Sequence, residues 1–205
     1  MTRSQSRLTA PTVFLIALAP LLWLVWRTLT GRLGANPLEE ITHETGIWTL
    51  RFLLATLAVT PVRRLTRWHA LAPYRRTLGL FAFFYATLHL LTYVWFDQFF
   101  AWGEIVRDVA KRPFITAGFA AFVVMVPLAL TSTAAMARRL GGRRWRALHR
   151  LAYVAAAAGV IHYWWLVKAD TSSPRAYAAL LAVLLLVRVV PARPAPRRRS
   201  TPDPA

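Results

Sequence analysis

The chain has 205 residues, of which 57% are hydrophobic and 17% are charged, and its formal net charge is +18. This composition is too apolar for an ordinary soluble domain. The basic residues cluster between apolar runs, as they do beside membrane spans, so the charge argues against a nucleic-acid-binding protein. The absence of cysteine excludes disulfides, thiolate metal sites, iron–sulfur clusters and covalently attached c-type haem.

Six apolar segments predict an all-α membrane protein built as a six-helix transmembrane bundle. They cover residues 12–26, 47–62, 77–96, 114–130, 145–167 and 176–190. Only helices and closed barrels can cross a bilayer, and the segments lack the alternation of strands. Several are shorter than the ~20 residues that a span needs, so we expect the helices to extend into the flanks. The first two are the weakest, because Pro20 interrupts one and Arg51 lies inside the other.

The remaining segments divide the chain into an N-terminus at 1–11, a membrane domain at 12–190 and a tail at 191–205. The first apolar segment has no clear cleavage site behind it, so we predict an anchor and not a cleaved signal. Residues 31–46 are predicted to form a polar loop. Residues 99–112 mix aromatic and charged side chains, as in a helix that lies on the membrane surface. The tail is rich in Pro and Arg and is predicted to be disordered.

The distribution of arginine and lysine predicts that both termini are cytoplasmic. Four regions that fall on the same side of the membrane in the six-span layout hold 18 of the 26 basic residues: the N-terminal flank, 63–76, 138–150 and the end of the chain from Arg188. The opposite side carries the other eight basic residues and seven of the eight acids. Cytoplasmic segments carry the excess of positive charge. Six spans fit this asymmetry, because an even number of spans puts both termini on the same side.

Three histidines lie in the apolar segments, and they are the candidate ligands of a metal cofactor. In the predicted topology His89 and His162 lie at a similar depth, in the outer half of the third and fifth segments. Neutral imidazole is a common axial ligand of haem iron, so this pair predicts a haem between those two segments. The alternative is that each histidine only forms a hydrogen bond with a neighbouring helix.

His149 lies about 20 Å from His162 along the fifth segment, at ~1.5 Å per residue, near the inner side. It is a candidate for a second cofactor site or for a contact with a haem propionate. The position facing it, thirteen residues before His89, is Arg76. Arg51 and Arg76 are both possible propionate contacts, although each could simply reach the interface. His43 and His69 fall in predicted loops and are interpreted as ordinary polar residues.

Three stretches resemble the MsrQ (YedZ) family, which belongs to the wider ferric-reductase-like transmembrane group. They are NPLEEITHETGIWTL at 36–50, RRTLGLFAFFYATLHLLTYVWFD at 75–97 and RRWRALHRLAYVAAAAGVIHYWWLVK at 143–168. The resemblance implies haem b held by the matching histidines, here His89, His149 and His162, and FMN as a further cofactor. Wider relatives carry two histidines on each of two helices, whereas position 76 here is arginine.

The resemblance also implies a function. The chain would be a membrane subunit, without catalytic residues of its own, that passes electrons to a periplasmic molybdopterin methionine sulfoxide reductase (MsrP-like). The donor would be the quinone pool or a cytoplasmic flavin reductase, and the location the bacterial inner membrane. Two alternatives remain: a stand-alone ferric or superoxide-type reductase, and a small proton-coupled carrier whose histidines relay protons.

Overall fold

The computed structural model describes residues 3–189, with side chains from residue 11 to residue 188. This part of the chain contains helices and no strands, so the predicted all-α class is confirmed. The predicted tail at 191–205 lies outside the described residues. The helices are α1 (Arg3–Leu29), α2 (Pro37–Thr66), α3 (Tyr74–Leu91), α4 (Trp102–Lys111), α5 (Pro113–Leu130), α6 (Ala134–Leu140), α7 (Gly142–Leu148), α8 (Leu151–Leu166) and α9 (Ser172–Val189).

Four stretches of the described chain are long and apolar enough to cross a membrane. They are Pro11–Leu29, Pro37–Thr66, His69–Asp97 and Pro113–Leu130, and they contain the first four predicted segments. α8 has 16 residues, and α9 has 18 residues with Arg175 and Arg188 near its ends. The described residues therefore contain several helices that could each span a membrane, as in a multi-pass protein. The count of six spans stays a prediction.

The predicted loop at 31–46 is wrong for residues 37–46, because α2 begins at Pro37. Asn36 caps the helix, since its side-chain oxygen accepts a hydrogen bond from the backbone N–H of Glu39 at 3.3 Å. Pro37 occupies the first helical turn, where its missing N–H leaves no hydrogen bond unmade. Glu39 and Glu40 place negative charge at the positive end of the helix dipole. These local signals start the helix ten residues before the apolar segment does.

α1 continues through Pro20, and the hydroxyl of Tyr85 from α3 repairs its hydrogen bonding there. A proline inside a helix disturbs the ladder of backbone hydrogen bonds. The Leu21 N–H donates to the Tyr85 hydroxyl at 3.0 Å, and this hydroxyl donates to the carbonyl of Ala17 at 3.1 Å. The two backbone groups would otherwise be paired with each other along the helix. Tyr85 is almost fully buried, with 1% of its surface exposed.

The ends of the other helices also depart from the predicted segments. α3 continues as a π-helical turn over Thr92–Asp97. The amphipathic segment at 99–112 forms α4, as predicted. The fifth predicted segment is divided between α7 and α8, with a break at His149 and Arg150.

The core joins two helix pairs, α2 with α3 and α5 with α8, which pack more closely than any other helices. One cluster of buried side chains connects both pairs with α1 and α9. It contains Ala17, Leu50, Phe52, Leu53, Leu54, Leu57, Phe81, Ala82, Tyr85, Ala86, Met125, Ala152, Ala155, Ala156, Val160, Leu181 and Leu184. α3 and α8, which carry His89 and His162, are not among the closely packed pairs.

Candidate functional site

The imidazole of His89 is oriented by the backbone of α2. Its Nδ1 lies 2.9 Å from the carbonyl oxygen of Thr42. A carbonyl oxygen can only accept a hydrogen bond, so Nδ1 carries the proton. In the neutral ring, Nε2 then keeps a free lone pair, which is the form that binds a metal.

His162 is held in the same way by α5. Its Nδ1 lies 2.6 Å from the carbonyl oxygen of Phe114, so Nδ1 is again the donor and Nε2 has the free lone pair. A hydrogen bond from the second ring nitrogen to a carbonyl fixes the tautomer and makes the coordinating nitrogen more basic.

A glycine provides the space for each ring. Gly46 lies one helical turn after Thr42, and a Cβ added to it would be 3.0 Å from Cε1 of His89. Gly118 lies one turn after Phe114, and a Cβ there would be 2.7 Å from Nδ1 of His162. The two helix pairs therefore contain the same local unit, a carbonyl that accepts from the histidine followed four residues later by a glycine that faces the ring. The prediction of a histidine pair named neither glycine.

The distance between the two rings fits two ligands of one iron. Their centroids are 6.0 Å apart and their planes are inclined by 73°. A metal–imidazole bond of about 2 Å, with roughly 1 Å more from nitrogen to ring centre, puts the centroids of two axial imidazoles about 6 Å apart. The pairing of His89 and His162 as ligands of one haem stays a prediction, and α3 and α8, which carry the two rings, do not pack closely.

Aromatic side chains surround only part of this site. Tyr163 lies beside His43, with ring centroids 6.1 Å apart, and Phe114 lies beside His162 at 6.3 Å. The hydroxyl of Tyr85 is bonded to the backbone of α1 and not to either histidine. Trp95, Trp164 and Trp165 are exposed on the helix surface, as in an interfacial belt. The imidazoles of His43 and His69 are exposed.

His149 differs from the pair in its contacts and in its tautomer. Its ring stacks on Trp145 at 4.0 Å, and its Nε2 lies 3.1 Å from Oγ1 of Thr131. That hydroxyl donates its own hydrogen to the carbonyl of Pro127 at 2.6 Å, so it accepts from His149. Nε2 of His149 therefore carries the proton, and the free lone pair is on Nδ1. The other two rings present the opposite nitrogen.

The role of the two arginines named as possible propionate contacts stays a prediction. Arg51 is exposed, donates from Nε to the hydroxyl of Tyr177 at 3.0 Å and stacks over Trp48 at 4.6 Å. Arg76 is exposed as well. Its neighbour Arg75 is less exposed and is the arginine whose charge acts on His149. The sequence spacing could have indicated Arg75 as the arginine on the same face of α3 as His89. Fourteen residues, close to four turns of ~3.6 residues, separate Arg75 from His89.

Residues 45–160 match the family described as the ferric reductase like transmembrane component. The matched stretch is more than half of the chain. It includes His89 and His149 and ends two residues before His162.

Individual relatives match over nearly the whole chain. A protein of Herminiimonas arsenicoxydans, named protein-methionine-sulfoxide reductase heme-binding subunit MsrQ, is 56% identical over 187 residues, which cover 90% of this chain and 86% of the relative. A relative of the same name from Rhodospirillum rubrum is 53% identical over 203 residues, with 99% and 97% covered. Another from Xanthomonas axonopodis pv. citri is 48% identical over 212 residues, with 98% and 97% covered.

Proposed function

Since the chain belongs to the MsrQ proteins of the ferric-reductase-like transmembrane family, we propose that it is a b-type cytochrome subunit that carries electrons across a bacterial inner membrane. Its acceptor is a periplasmic molybdopterin methionine sulfoxide reductase, which repairs oxidised periplasmic proteins. The reduction of the sulfoxide takes place on that partner, so no catalytic residue is assigned to this chain.

The observation that carries the proposal is the pair of imidazoles whose Nε2 lone pairs are both free and whose centres are 6.0 Å apart. His89 and His162 would hold haem b through their Nε2 atoms. When bound, haem supplies a one-electron couple between ferric and ferrous iron. The chain sets the potential of that couple through the two ligands, through the carbonyls of Thr42 and Phe114 behind them, and through burial.

The proposed topology has six spans within residues 12–190 and both termini in the cytoplasm. α8 and α9 supply the fifth and sixth spans, and α7 adds length to the fifth. The excess of arginine at one end of the helices supports this orientation. In this arrangement His89 and His162 lie nearer the periplasmic side, where the acceptor is.

The electrons come from the quinone pool or from a cytoplasmic flavin reductase. FMN is a further cofactor implied by the family resemblance, without residues assigned to it. His149 is proposed to lie at the inner side of the electron path, as a ligand or propionate contact of a second cofactor. Arg51 and Arg76 remain possible propionate contacts.

The test is an absorption spectrum of the purified protein and of two single variants, His89→Ala and His162→Ala. The protein should show the bands of a reducible low-spin b haem. Each variant loses one strong ligand, so its haem should be lost or become high-spin. His69→Ala is the matched control, because this histidine is exposed in the turn between α2 and α3.

A wild-type low-spin spectrum in both folded variants would show that the pair is assigned wrongly. A purified protein without any haem band would instead favour the proton-coupled carrier. Electron delivery to the partner should stop in either variant, while the partner reduced by an artificial donor should still repair methionine sulfoxide.

A further inference from the structure

A cleft of about 460 Å³ lies between α1 and α2, two helices that follow each other in the chain. Its volume is in the range of sites for small organic ligands. Ile16 and Trp23 are 67% and 60% exposed, and both belong to the apolar stretch Pro11–Leu29, so the cleft opens on the side of α1 that faces lipid in a membrane. The cleft is lined by Ile16, Ala19, Pro20, Trp23, Leu24, Arg27, Glu44, Trp48 and Arg51.

Arg51 brings a positive charge without a negative partner to this cleft. Its Nε donates to the Tyr177 hydroxyl at 3.0 Å, and its Cζ lies 4.6 Å from the centroid of the Trp48 ring. Both partners are neutral, and within residues 11–188 the other two nitrogens of the guanidinium make no hydrogen bond. A guanidinium presents its donors in a planar fork that matches the oxygens of a carboxylate or a phosphate. Arg51 is therefore free to bind an anionic group.

Glu44 brings a negative charge without a positive partner to the same cleft. Among the side chains that the structure describes, its half-buried carboxylate makes no hydrogen bond and no ion pair. Arg27, the other cation that lines the cleft, forms an ion pair with Glu40. A carboxylate only accepts hydrogen bonds, and leaving it unpaired in an apolar setting costs free energy. Glu44 therefore fits a cationic group that donates hydrogen bonds.

The two unpaired charges lie at different depths along α2. Glu44, Trp48 and Arg51 follow one another at intervals of four and three residues, so they share one face of the helix. Seven residues correspond to roughly 10 Å along the helix axis. Glu44 precedes the apolar segment 47–62, whereas Arg51 lies inside it. The carboxylate is therefore further from the hydrocarbon than the guanidinium is.

A ligand that satisfies this cleft carries both charges at once. A purely anionic ligand would leave Glu44 unpaired, and a purely cationic ligand would leave Arg51 unpaired. In a phospholipid with an amine head group, the phosphate is next to the acyl chains and the ammonium is at the outer end. This order matches a guanidinium inside the apolar segment and a carboxylate before it. A primary ammonium has three N–H donors for the carboxylate, and a quaternary ammonium has none.

We propose that the cleft binds the head group of one phosphatidylethanolamine molecule, with the phosphate on Arg51 and the ammonium on Glu44. The acyl chains lie along the exposed apolar face of α1, beside Ile16 and Trp23. The lipid thereby joins α1 to α2, which are not among the closely packed helix pairs. This site goes beyond the proposed electron transfer and does not depend on it. It gives Arg51 a lipid phosphate in place of a haem propionate.

The choice of lipid is tested by native mass spectrometry of the full-length protein. The protein is released from nanodiscs that contain equal amounts of phosphatidylethanolamine, phosphatidylglycerol and phosphatidylcholine. It should keep one phosphatidylethanolamine in preference to the other two lipids. Equal retention of phosphatidylglycerol would show that only the phosphate is recognised, and equal retention of phosphatidylcholine would show that Glu44 accepts no hydrogen bond. Either result would overturn the assignment.

Soluble phosphoethanolamine separates a lipid site from a site for a small zwitterion. It carries the same two charged groups without acyl chains, so it should not displace the bound lipid at equal concentration. Displacement at that concentration would show that the cleft takes its ligand from water, and the lipid assignment would be wrong.

Two charge variants test the two contacts separately. Glu44→Gln removes the acceptor for the ammonium, and Arg51→Gln removes the donor to the phosphate. Each should weaken the binding of phosphatidylethanolamine by about 10-fold or more, as expected for the loss of a hydrogen bond between charged groups. Glu44→Gln should not weaken the binding of phosphatidylglycerol. Wild-type affinity in both variants would overturn the site, and so would an Arg51→Gln protein that loses its haem and keeps the lipid.

Glu104→Gln and Arg175→Gln are the matched controls for these variants. Both side chains are exposed and lie outside the cleft. Arg175 also donates from its Nε to a neutral group, the carbonyl of Thr171 at 3.2 Å. Neither control should change the retention of the lipid. A loss as large as in the cleft variants would show that the lipid responds to the total charge of the protein and not to this cleft.

Ala19→Phe tests the cleft without changing a charge, and it decides the question if a charge variant does not fold. Ala19 is exposed on the wall of the cleft, so a phenyl ring there takes up part of the space for the head group. Retention of phosphatidylethanolamine should fall by about 10-fold, as for the loss of one polar contact. Ala120→Phe, at an exposed alanine of α5 outside the cleft, is the control. Unchanged retention in Ala19→Phe would overturn the site.

The position of the lipid is tested by photolabelling of the wild type. A phosphatidylethanolamine with a diazirine near the head group should label residues 16–27 and 44–51, as identified by peptide mass spectrometry. Labels confined to other helices would overturn the site.

Discussion

The direction of one hydrogen bond decides which nitrogen of each histidine can bind a metal. Carbonyl oxygens accept from Nδ1 of His89 and His162, whereas a threonine hydroxyl accepts from Nε2 of His149. The sequence identifies all three residues, because a titratable ring in an apolar segment needs a partner. The tautomers could not be predicted, since each depends on a group from another helix.

At residue scale, Gly118→Ala should disturb the haem site without touching a ligand. The new Cβ would lie 2.7 Å from Nδ1 of His162, so the ring must move and its bond to Phe114 must lengthen. Changes behind a metal ligand typically weaken metal binding by about 10–100-fold, and we expect haem retention to fall within that range. Transfer of haem to an apo-globin acceptor measures the loss.

Gly103→Ala is the control for that substitution, because a Cβ there meets nothing within 4 Å. It should leave haem retention unchanged. Equal retention of haem by wild type and both glycine variants would mean that the glycine opposite His162 does not position this ligand.

His149→Ala should keep the haem held by His89 and His162, because His149 contacts Thr131 and Trp145 and not the pair. We expect the low-spin spectrum to persist and electron entry from the inner side to slow. The spectrum and the rate of haem reduction in membrane vesicles check this. Complete loss of haem from a folded variant would make His149 a primary ligand of the only haem.

At the scale of elements, apolar segments identified the helices better than their ends. The start of α2 was missed because Asn36, Pro37 and Glu39 form a capping sequence within a polar stretch. A prediction from hydropathy assigns such polar residues to a loop, although here they begin the helix. The break between α7 and α8 was missed for the opposite reason, since the apolar residues continue through it.

Tyr85→Phe should destabilise the protein through α1. The substitution removes the hydroxyl that pairs with both Leu21 N–H and the Ala17 carbonyl, next to Pro20. An unsatisfied buried polar group costs about 1–3 kcal/mol, so the unfolding temperature in detergent should decrease. Thermal unfolding followed by circular dichroism measures this.

Tyr93→Phe is the matched control for that change. Its hydroxyl bonds to the Asp108 carboxylate at 3.2 Å, and both groups are only partly buried. The loss of stability should therefore be smaller. If Tyr93→Phe lowers the unfolding temperature as much as Tyr85→Phe does, the contact of Tyr85 with α1 does not contribute more to stability than a partly buried hydrogen bond.

At the scale of the whole molecule, charge and helix order together define the expected orientation. Arginine-rich stretches lie at the end of α2, at the start of α3 and between α5 and α8, and Arg188 lies near the end of α9. With six spans that cross the membrane in alternate directions, these stretches would all lie at the cytoplasmic end. The sequence predicts this orientation from the distribution of its basic residues, and the orientation stays a prediction. It could not predict which helices pair, because the contacts of α2 with α3 and of α5 with α8 depend on side chains far apart in the chain.

A reporter fused after Arg188 should be active only if that reporter works in the cytoplasm. The 18-to-8 division of basic residues and six spans lead to this expectation. A second fusion after Gln98, in the connection from α3 to α4, should show the opposite behaviour. Activity of a periplasmic reporter after Arg188 would mean an odd number of spans.

The repeated unit of carbonyl, glycine and histidine also has a consequence for the order of assembly during synthesis. The first unit uses Thr42, Gly46 and His89, and the second uses Phe114, Gly118 and His162. Each unit is complete within one half of the chain, so the first ring can be oriented in its final tautomer before the ribosome has made the second half. A haem held between the two units, as proposed, would then bind only after both helix pairs have formed, as the last step of assembly.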